Sequence, residues 1–195
     1  MTRIVVVGVG GQGVLFASKV LSEAALAEGH NAVMSEVHGM AQRGGVVMCN
    51  ICVGCIESSL VGDGEADIIF AFEPMEAYRA LAKANKGTRF VTSTSPVVPV
   101  VVSIGKMKYP DVEGLFNEIR EITPKLTAVN ADKLALEAGS YVTANSVLLG
   151  ALAGTAECPV SKEKLLEVLK RIVPPKTVEM NLKAFELGLK YAKRH

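Results

Sequence analysis

The stretch Ile4-Val5-Val6-Val7-Gly8-Val9-Gly10-Gly11-Gln12-Gly13-Val14 decides the reading of the fold. A β-branched run suits a buried strand and the glycines suit a tight turn. The apolar-periodic stretch from Val14 to Ala27, stopped by Gly29, suits a helix. Within it Leu15, Ser18, Leu21 and Ala25 recur at spacings of three and four, the face expected to lie on a sheet. Asn31 to Met34 restarts as a strand, so the segment predicts a βαβ unit with a right-handed crossover.

Outward from this unit the same alternation continues. Val46 to Val53 and Asp67 to Phe72 read as strands, and the latter opens at Glu73-Pro74 into a helix, with Pro74 suited to a first helical turn. Arg89 to Thr92 is a further strand, and Val97 to Ile104, interrupted by Pro99, reads as extended chain at a sheet edge. A helix from Tyr109-Pro110-Asp111 through Ile122, a short strand at Ala128 to Asn130 and a helix from Ala131 to Ala138 follow. Beyond Asn145 the pattern is all helical: Asn145 to Ala153, Ser161 to Ile172 with Ser161 as its cap, and Val178 to Lys193. Leu182, Phe185, Leu189 and Ala192 form a stripe on the last helix that suits core or subunit contact rather than a cofactor box. The fold class is therefore α/β, a doubly wound Rossmann-like sheet with a helical C-terminal segment.

The 195 residues suit one domain, and 21 Lys plus Arg against 20 Asp plus Glu leave a net charge of +1, which gives no electrostatic reason for nucleic acid or an anionic membrane as a partner. Hydrophobic residues at 49% supply a sizeable core, while aromatics at 5% with no Trp argue against stacking platforms for single strands. The opening apolar run is too short for a signal peptide or a membrane span, so the chain is expected to be cytoplasmic. Cys49, Cys52, Cys55 and Cys158 are accordingly expected to be reduced. Cys49, Cys52 and Cys55 match three ligands of an iron–sulfur cluster in spacing. In a strand, though, Cys49 and Cys55 point one way and Cys52 the other, so buried free thiols are the expectation and no metal site is assigned.

Gly8-Val9-Gly10-Gly11-Gln12-Gly13 satisfies G-x-G-x-x-G after a strand and before a helix, where backbone amides and the helix dipole can hold a phosphate. Glu36 follows where a dinucleotide fold places its ribose-binding carboxylate, about 20 residues on. The fourth glycine, Gly11, and the amide of Gln12 are not asked for by that fingerprint, and glycines serving only tight helix–strand packing explain the run better than dinucleotide binding does. Residues His38-Gly39-Met40-Ala41-Gln42-Arg43-Gly44-Gly45 read as an ordered loop or short helix of the kind that carries function. His38 and Arg43 could serve acid–base or anion-binding roles, or Arg43 could cap a helix or pair with Glu36. No Ser-His-Asp set and no histidine cluster is visible.

Four blocks together resemble the gamma-type subunit of 2-oxoacid:ferredoxin oxidoreductases: Gly8 to Val14, Ser35 to Gly45, Phe72-Glu73-Pro74-Met75-Glu76-Ala77-Tyr78-Arg79, and Ala144-Asn145-Ser146-Val147-Leu148-Leu149-Gly150. The Glu-Val-His-Gly-Met-Ala-Gln-Arg-Gly-Gly block is specific, and the similarity is greatest to the branch acting on arylpyruvates. Other 2-oxoacids (pyruvate, 2-oxoisovalerate, 2-oxoglutarate) and a free-standing dinucleotide-binding oxidoreductase are the alternatives. The resemblance implies that residues 1–195 form a single gamma-type domain. A large alpha subunit would carry thiamine diphosphate and the iron–sulfur clusters, the acyl group would pass to coenzyme A, and electrons would leave to ferredoxin. No cofactor is assigned firmly to this chain, which when isolated could pair as a homodimer. The candidate ligand or partner-cofactor loop comprises Gly8, Gly10, Gly11, Gln12, Gly13, Glu36, His38, Gln42, Arg43, Gly44, Gly45 and Asn145. The triple-cysteine strand departs from the family pattern.

Overall fold

The first strand, β1 (Thr2–Val9), is buried on both faces, with Ile4 to Val7 at most 1% exposed, as a near-continuous apolar run in the middle of a sheet should be. The structure is a computed structural model that describes residues 1–39, 45–54, 58–98 and 108–194. After β1 come α1 (Val14–Ala27), β2 (Ala32–His38), β3 (Val46–Val53), β4 (Ile68–Ala71), α2 (Pro74–Arg79) and β5 (Arg89–Ser93). The chain continues through α3 (Val112–Ile122), β6 (Leu126–Val129), α4 (Ala131–Ala138), α5 (Ala144–Ala153), α6 (Lys162–Ile172) and α7 (Val178–Ala192). Short 3₁₀ turns occupy Ala80–Lys83, Tyr141–Thr143 and Pro175–Thr177.

The six strands form one sheet in the order β2-β3-β1-β4-β5-β6. β1, β4, β5 and β6 run parallel, whereas β3 is antiparallel to both β1 and β2. The expected βαβ unit is thus modified: β1 and β2 do run in the same direction, but β3 lies between them. A short connection can join antiparallel neighbours directly. Here β2 returns as a hairpin whose ladder runs from Ala32↔Val53 to His38↔Val47 and is extended by the Gly39 amide donating to the Val46 carbonyl at 2.8 Å.

Helices cover both faces, as a doubly wound sheet requires. α1, α4, α5, α6 and α7 share one core with Ile4, Val6, Cys49, Ile51 and Phe70; α2 and α3 share the other with Val5, Val7, Ile69 and Phe90. On α1 the packed face is Val14, Ala17, Ser18, Leu21, Ala24 and Ala25, while Leu15, placed on that face by the spacing argument, is 38% exposed. The helix start read at Ser161 is in place, its hydroxyl accepting from the Lys164 amide at 3.3 Å. Val97 and Val98 belong to no strand, and the rest of the extended segment read at the sheet edge lies outside the described residues.

α5 is buried from Ser146 to Leu152, the mark of a helix with neighbours on every side. It packs on β5 and β6 and, more extensively, on α7. Phe185 and Leu189 of the predicted stripe are buried there, with Leu182 and Ala192 partly so. The approach is backbone to backbone: a Cβ added at Gly150 would stand 1.9 Å from the Phe185 carbonyl oxygen, and one at Gly188 only 1.8 Å from that of Val147. Replacing Gly188 by Ala must push the two helices apart. Overpacking of this kind should lower stability by about 3 kcal/mol, which equilibrium denaturation of Gly188→Ala would measure, and an unchanged midpoint would contradict the close approach.

Candidate functional site

Gly8 sits where β1 meets α1 so closely that a Cβ there would lie 2.8 Å from Val14 Cγ2, 2.9 Å from Phe72 Cβ and 3.0 Å from Gln12 Oε1. Gly11 and Gly13 take left-handed backbone at φ 100° and 85°, a conformation that glycine adopts without strain. Gln12 has a defined task. Its Oε1 accepts from the Val9 amide at 2.8 Å and its Nε2 donates to the Phe72 carbonyl at 2.9 Å, so the side chain bridges the ends of β1 and β4. Gly13 is the N-cap of α1 and brings no side-chain hydrogen bond, which leaves the first amides of that helix without a side-chain partner of the capping kind.

Asn145, on the first turn of α5, packs on this turn: a Cβ on Gly13 would meet Asn145 Nδ2 at 2.5 Å. Gly11, Gln12, Gly13 and Asn145 together line a cleft of ≈ 420 Å³ at the C-terminal ends of the parallel strands, the place where open α/β sheets bind ligands. Its other walls are Phe72, Ser93, Ser95 and Val97 after β4 and β5, Ala131 and Asp132 of α4, and Tyr141 and Val142 before α5. Three helix N-termini, those of α1, α4 and α5, therefore open onto one space. Their dipoles favour an anion there, with the Asp132 carboxylate opposing in part. Asn145 also borders a second, largely apolar cavity of ≈ 450 Å³ lined by Phe16, Val142, Val173, Pro174, Met180 and Asn181, among others.

Gly45, the last residue of the segment singled out in the sequence, lies beside the glycine turn, its carbonyl accepting from the Gly10 amide at 2.9 Å. His38 ends β2, and Gln42, Arg43 and Gly44 lie outside the described residues. Glu36 does not join the cleft. It is exposed, its register partner is Cys49, and Cys49 in turn pairs with Val6, so β3 separates Glu36 from the strand bearing the glycines. Two strand spacings amount to about 10 Å. The ribose-binding role predicted for Glu36 rested on β2 lying next to β1, and the inserted strand removes it.

Sequence reasoning passed over a second polar centre next to the cleft. Glu73, 1% exposed, caps α2 by accepting from the Glu76 amide at 3.0 Å. Its other oxygen accepts from the Val97 amide at 3.2 Å and from the Tyr109 hydroxyl, which itself accepts from the Met75 amide at 3.3 Å. Burial and then the Glu73 carboxylate hold the Tyr109 phenol protonated far above its usual range. Burial also raises the Glu76 carboxyl, with Arg79 opposing the rise from 2.7 Å. An acidic residue directly before a proline at a helix start was the available signal.

Cys49 and Cys52 point to opposite faces as the alternation demands, Cys49 joining the α1-side core. The expectation of reduced thiols fails at Cys52, which is disulfide-bonded. The strand argument stops at Gly54, whose φ of 84° ends β3 and turns the chain. Among the described residues no three His, Cys, Asp or Glu side chains converge as metal ligands, and no helix is long and apolar enough to cross a membrane.

A family model described as pyruvate ferredoxin/flavodoxin oxidoreductase matches residues 3–191. The indolepyruvate oxidoreductase subunit IorB of Thermococcus kodakarensis is 44% identical over 193 residues, covering 98% of this chain and 96% of that one. The solved gamma subunit of a keto/oxoacid ferredoxin oxidoreductase from Geobacter sulfurreducens aligns over the whole of both chains with a TM-score of 0.73 and 25% identity. The 2-oxoglutarate:ferredoxin oxidoreductase of Magnetococcus marinus, solved with 2-oxoglutarate, coenzyme A and succinyl-CoA, aligns over all of this chain and 31% of its own, with a TM-score of 0.75 and 26% identity.

Two outcomes follow from the site as built. Gln12→Ala leaves the Val9 amide and Phe72 carbonyl without partners and should cost about 2 kcal/mol in denaturation experiments, because unmet hydrogen-bonding groups are expensive. Cys49 is fully buried and burial raises its thiol, so it should react with a thiolate-seeking reagent at pH 8 only after unfolding; prompt labelling of the native chain at Cys49 would refute this.

Proposed function

This chain belongs to the pyruvate ferredoxin/flavodoxin oxidoreductase family, and from that premise we propose that it is the small subunit of an indolepyruvate:ferredoxin oxidoreductase. The complex converts an aryl 2-oxoacid to its acyl-CoA and passes the electrons to ferredoxin. One observation carries the reading: 44% identity to an indolepyruvate oxidoreductase subunit along 98% of the chain, against 28–30% to 2-oxoglutarate synthase subunits and 22% to a ketoisovalerate oxidoreductase subunit. The same contrast favours an arylpyruvate over other 2-oxoacids.

In this reading the large alpha subunit holds thiamine diphosphate and the iron–sulfur clusters, and no step of that chemistry is assigned to residues of this chain. The cleft is the part this chain brings. Its polar lining is backbone amide, hydroxyl and carboxamide with one carboxylate, groups that bind and orient. Amides at the starts of α1 and α5 suit the phosphates of coenzyme A, whose thiol accepts the acyl group when bound. The Gly10 amide donating to the Gly45 carbonyl, one residue from the cleft-lining Gly11, supports a role for the segment ending at Gly45 at the joint with the large subunit.

Anaerobic capture of the tagged chain from its own cells, with mass identification, tests the assembly. Recovery of a larger thiamine- and cluster-bearing chain is expected, whereas recovery of this chain alone with a dinucleotide would overturn the reading. In the captured complex, Gly11→Val should raise the KM for coenzyme A about tenfold, since a β-branched residue cannot adopt φ 100° without strain. Indolepyruvate should support faster ferredoxin reduction than 2-oxoglutarate; the reverse order would reassign the substrate.

A further inference from the structure

Glu73 does more than a helix cap requires. Asp, Asn, Ser and Thr are the usual caps, and one oxygen suffices for the task. Glu73 uses Oε2 for the Glu76 amide, and its extra methylene carries Oε1 beyond the helix to two segments 24 and 36 residues away, at Val97 and Tyr109. The carboxylate is 1% exposed, and a charge so buried persists only where donors surround it. Those donors come from three separate stretches of chain.

One of these stretches, that of Val97, belongs to the cleft. Val97 is in its wall, together with Ser95, whose amide donates to Ser93 Oγ at 3.1 Å. Phe72, the residue before Glu73, is also in the wall and receives the Gln12 amide that fixes the glycine turn. The dipeptide Phe72-Glu73 at the end of β4 therefore holds both sides: the backbone carbonyl of Phe72 anchors the Gly11–Gly13 side, and the Glu73 side chain anchors the Ser95–Val97 side. Tyr109 fixes Glu73 in turn, donating to it while accepting from Met75, so the carboxylate has one stable orientation.

We propose that Glu73 is a positioning residue for the ligand of this cleft, setting the distance between the glycine turn and the Ser95–Val97 wall, with Tyr109 holding Glu73 in place. The proposal rests on the reading of the cleft as a coenzyme A seat. Glu73 touches no ligand; it acts through Val97 and through the backbone shared with Phe72.

Two substitutions separate positioning from simple stability. Glu73→Asp keeps the charge and a good helix cap but withdraws the reach to Val97 and Tyr109. Tyr109→Phe keeps Glu73 and removes its phenolic donor. In the assembled complex each should raise the KM for coenzyme A about tenfold with kcat changed less than about twofold, and the double variant should be little worse than either alone, since the two act as one unit. Hydrogen exchange on the full chain should show the Val97 amide exchanging about tenfold faster in Glu73→Asp, with α6 and α7 unaltered. An unchanged KM in both variants overturns the proposal, as does a lowered thermal midpoint with KM intact, which would make Glu73 a structural cap alone. Gly11→Val distinguishes the two levels. If it raises KM while Glu73→Asp and Tyr109→Phe do not, only the role of Glu73 falls. If Gly11→Val is silent, the coenzyme A seat falls and this proposal falls with it.

Discussion

Both ends of the Gln12 amide are held in the backbone of the sheet, the oxygen by the Val9 amide and the nitrogen by the Phe72 carbonyl. A side chain locked across the ends of two parallel strands fixes where Gly13 lets α1 begin, and hence where the cleft begins. Gly8 makes room for it, because any side chain there would meet Gln12, Val14 and Phe72 at once. The glycines that look like a phosphate signature are thus first a solution to packing a helix, two strands and a carboxamide into one corner. Phosphate-friendly amides follow from that solution. Asn145 completes the corner from the other side, filling the space a Cβ of Gly13 would take.

Strand, turn and helix at the start of the chain were legible because the β-branched run, the glycines and the 3.6-residue period are all local signals. So was a doubly wound sheet with helices on both faces, and the start of α6 at Ser161. The place of β3 was not legible. Nothing in Ala32 to His38 tells whether the strand after it will lie outside or slip between β2 and β1, since its alternation serves either neighbour. The hairpin decides it, through pairing that joins Val46–Val53 to two strands at once. Glu36 was misjudged for this reason alone: its place along the strand was right for a ribose carboxylate, and its place across the sheet was wrong.

Within the candidate site, the turn residues were readable one by one, whereas their company was not. That Asn145 meets Gly13 depends on how α5 crosses the sheet, and the sequence suggests it only through likeness to a family. Glu73 was visible as a helix start, but its reach to Val97 and Tyr109 is set by the path of the chain between β5 and α3. The alternation places Cys49 and Cys52 correctly but says nothing of covalent state, and the disulfide at Cys52 was not legible from it.

The burial of α5 on every side has a consequence for how the chain is made. α5 leaves the ribosome before α7, and with it goes a helix whose outward face has no polar residue to offer water between Val147 and Leu152. Until Gly188 arrives against Val147, that face is a sticky surface on an otherwise finished sheet. A chain in which α7 has not yet docked leaves this face uncovered, and apolar surface exposed in such intermediates drives association.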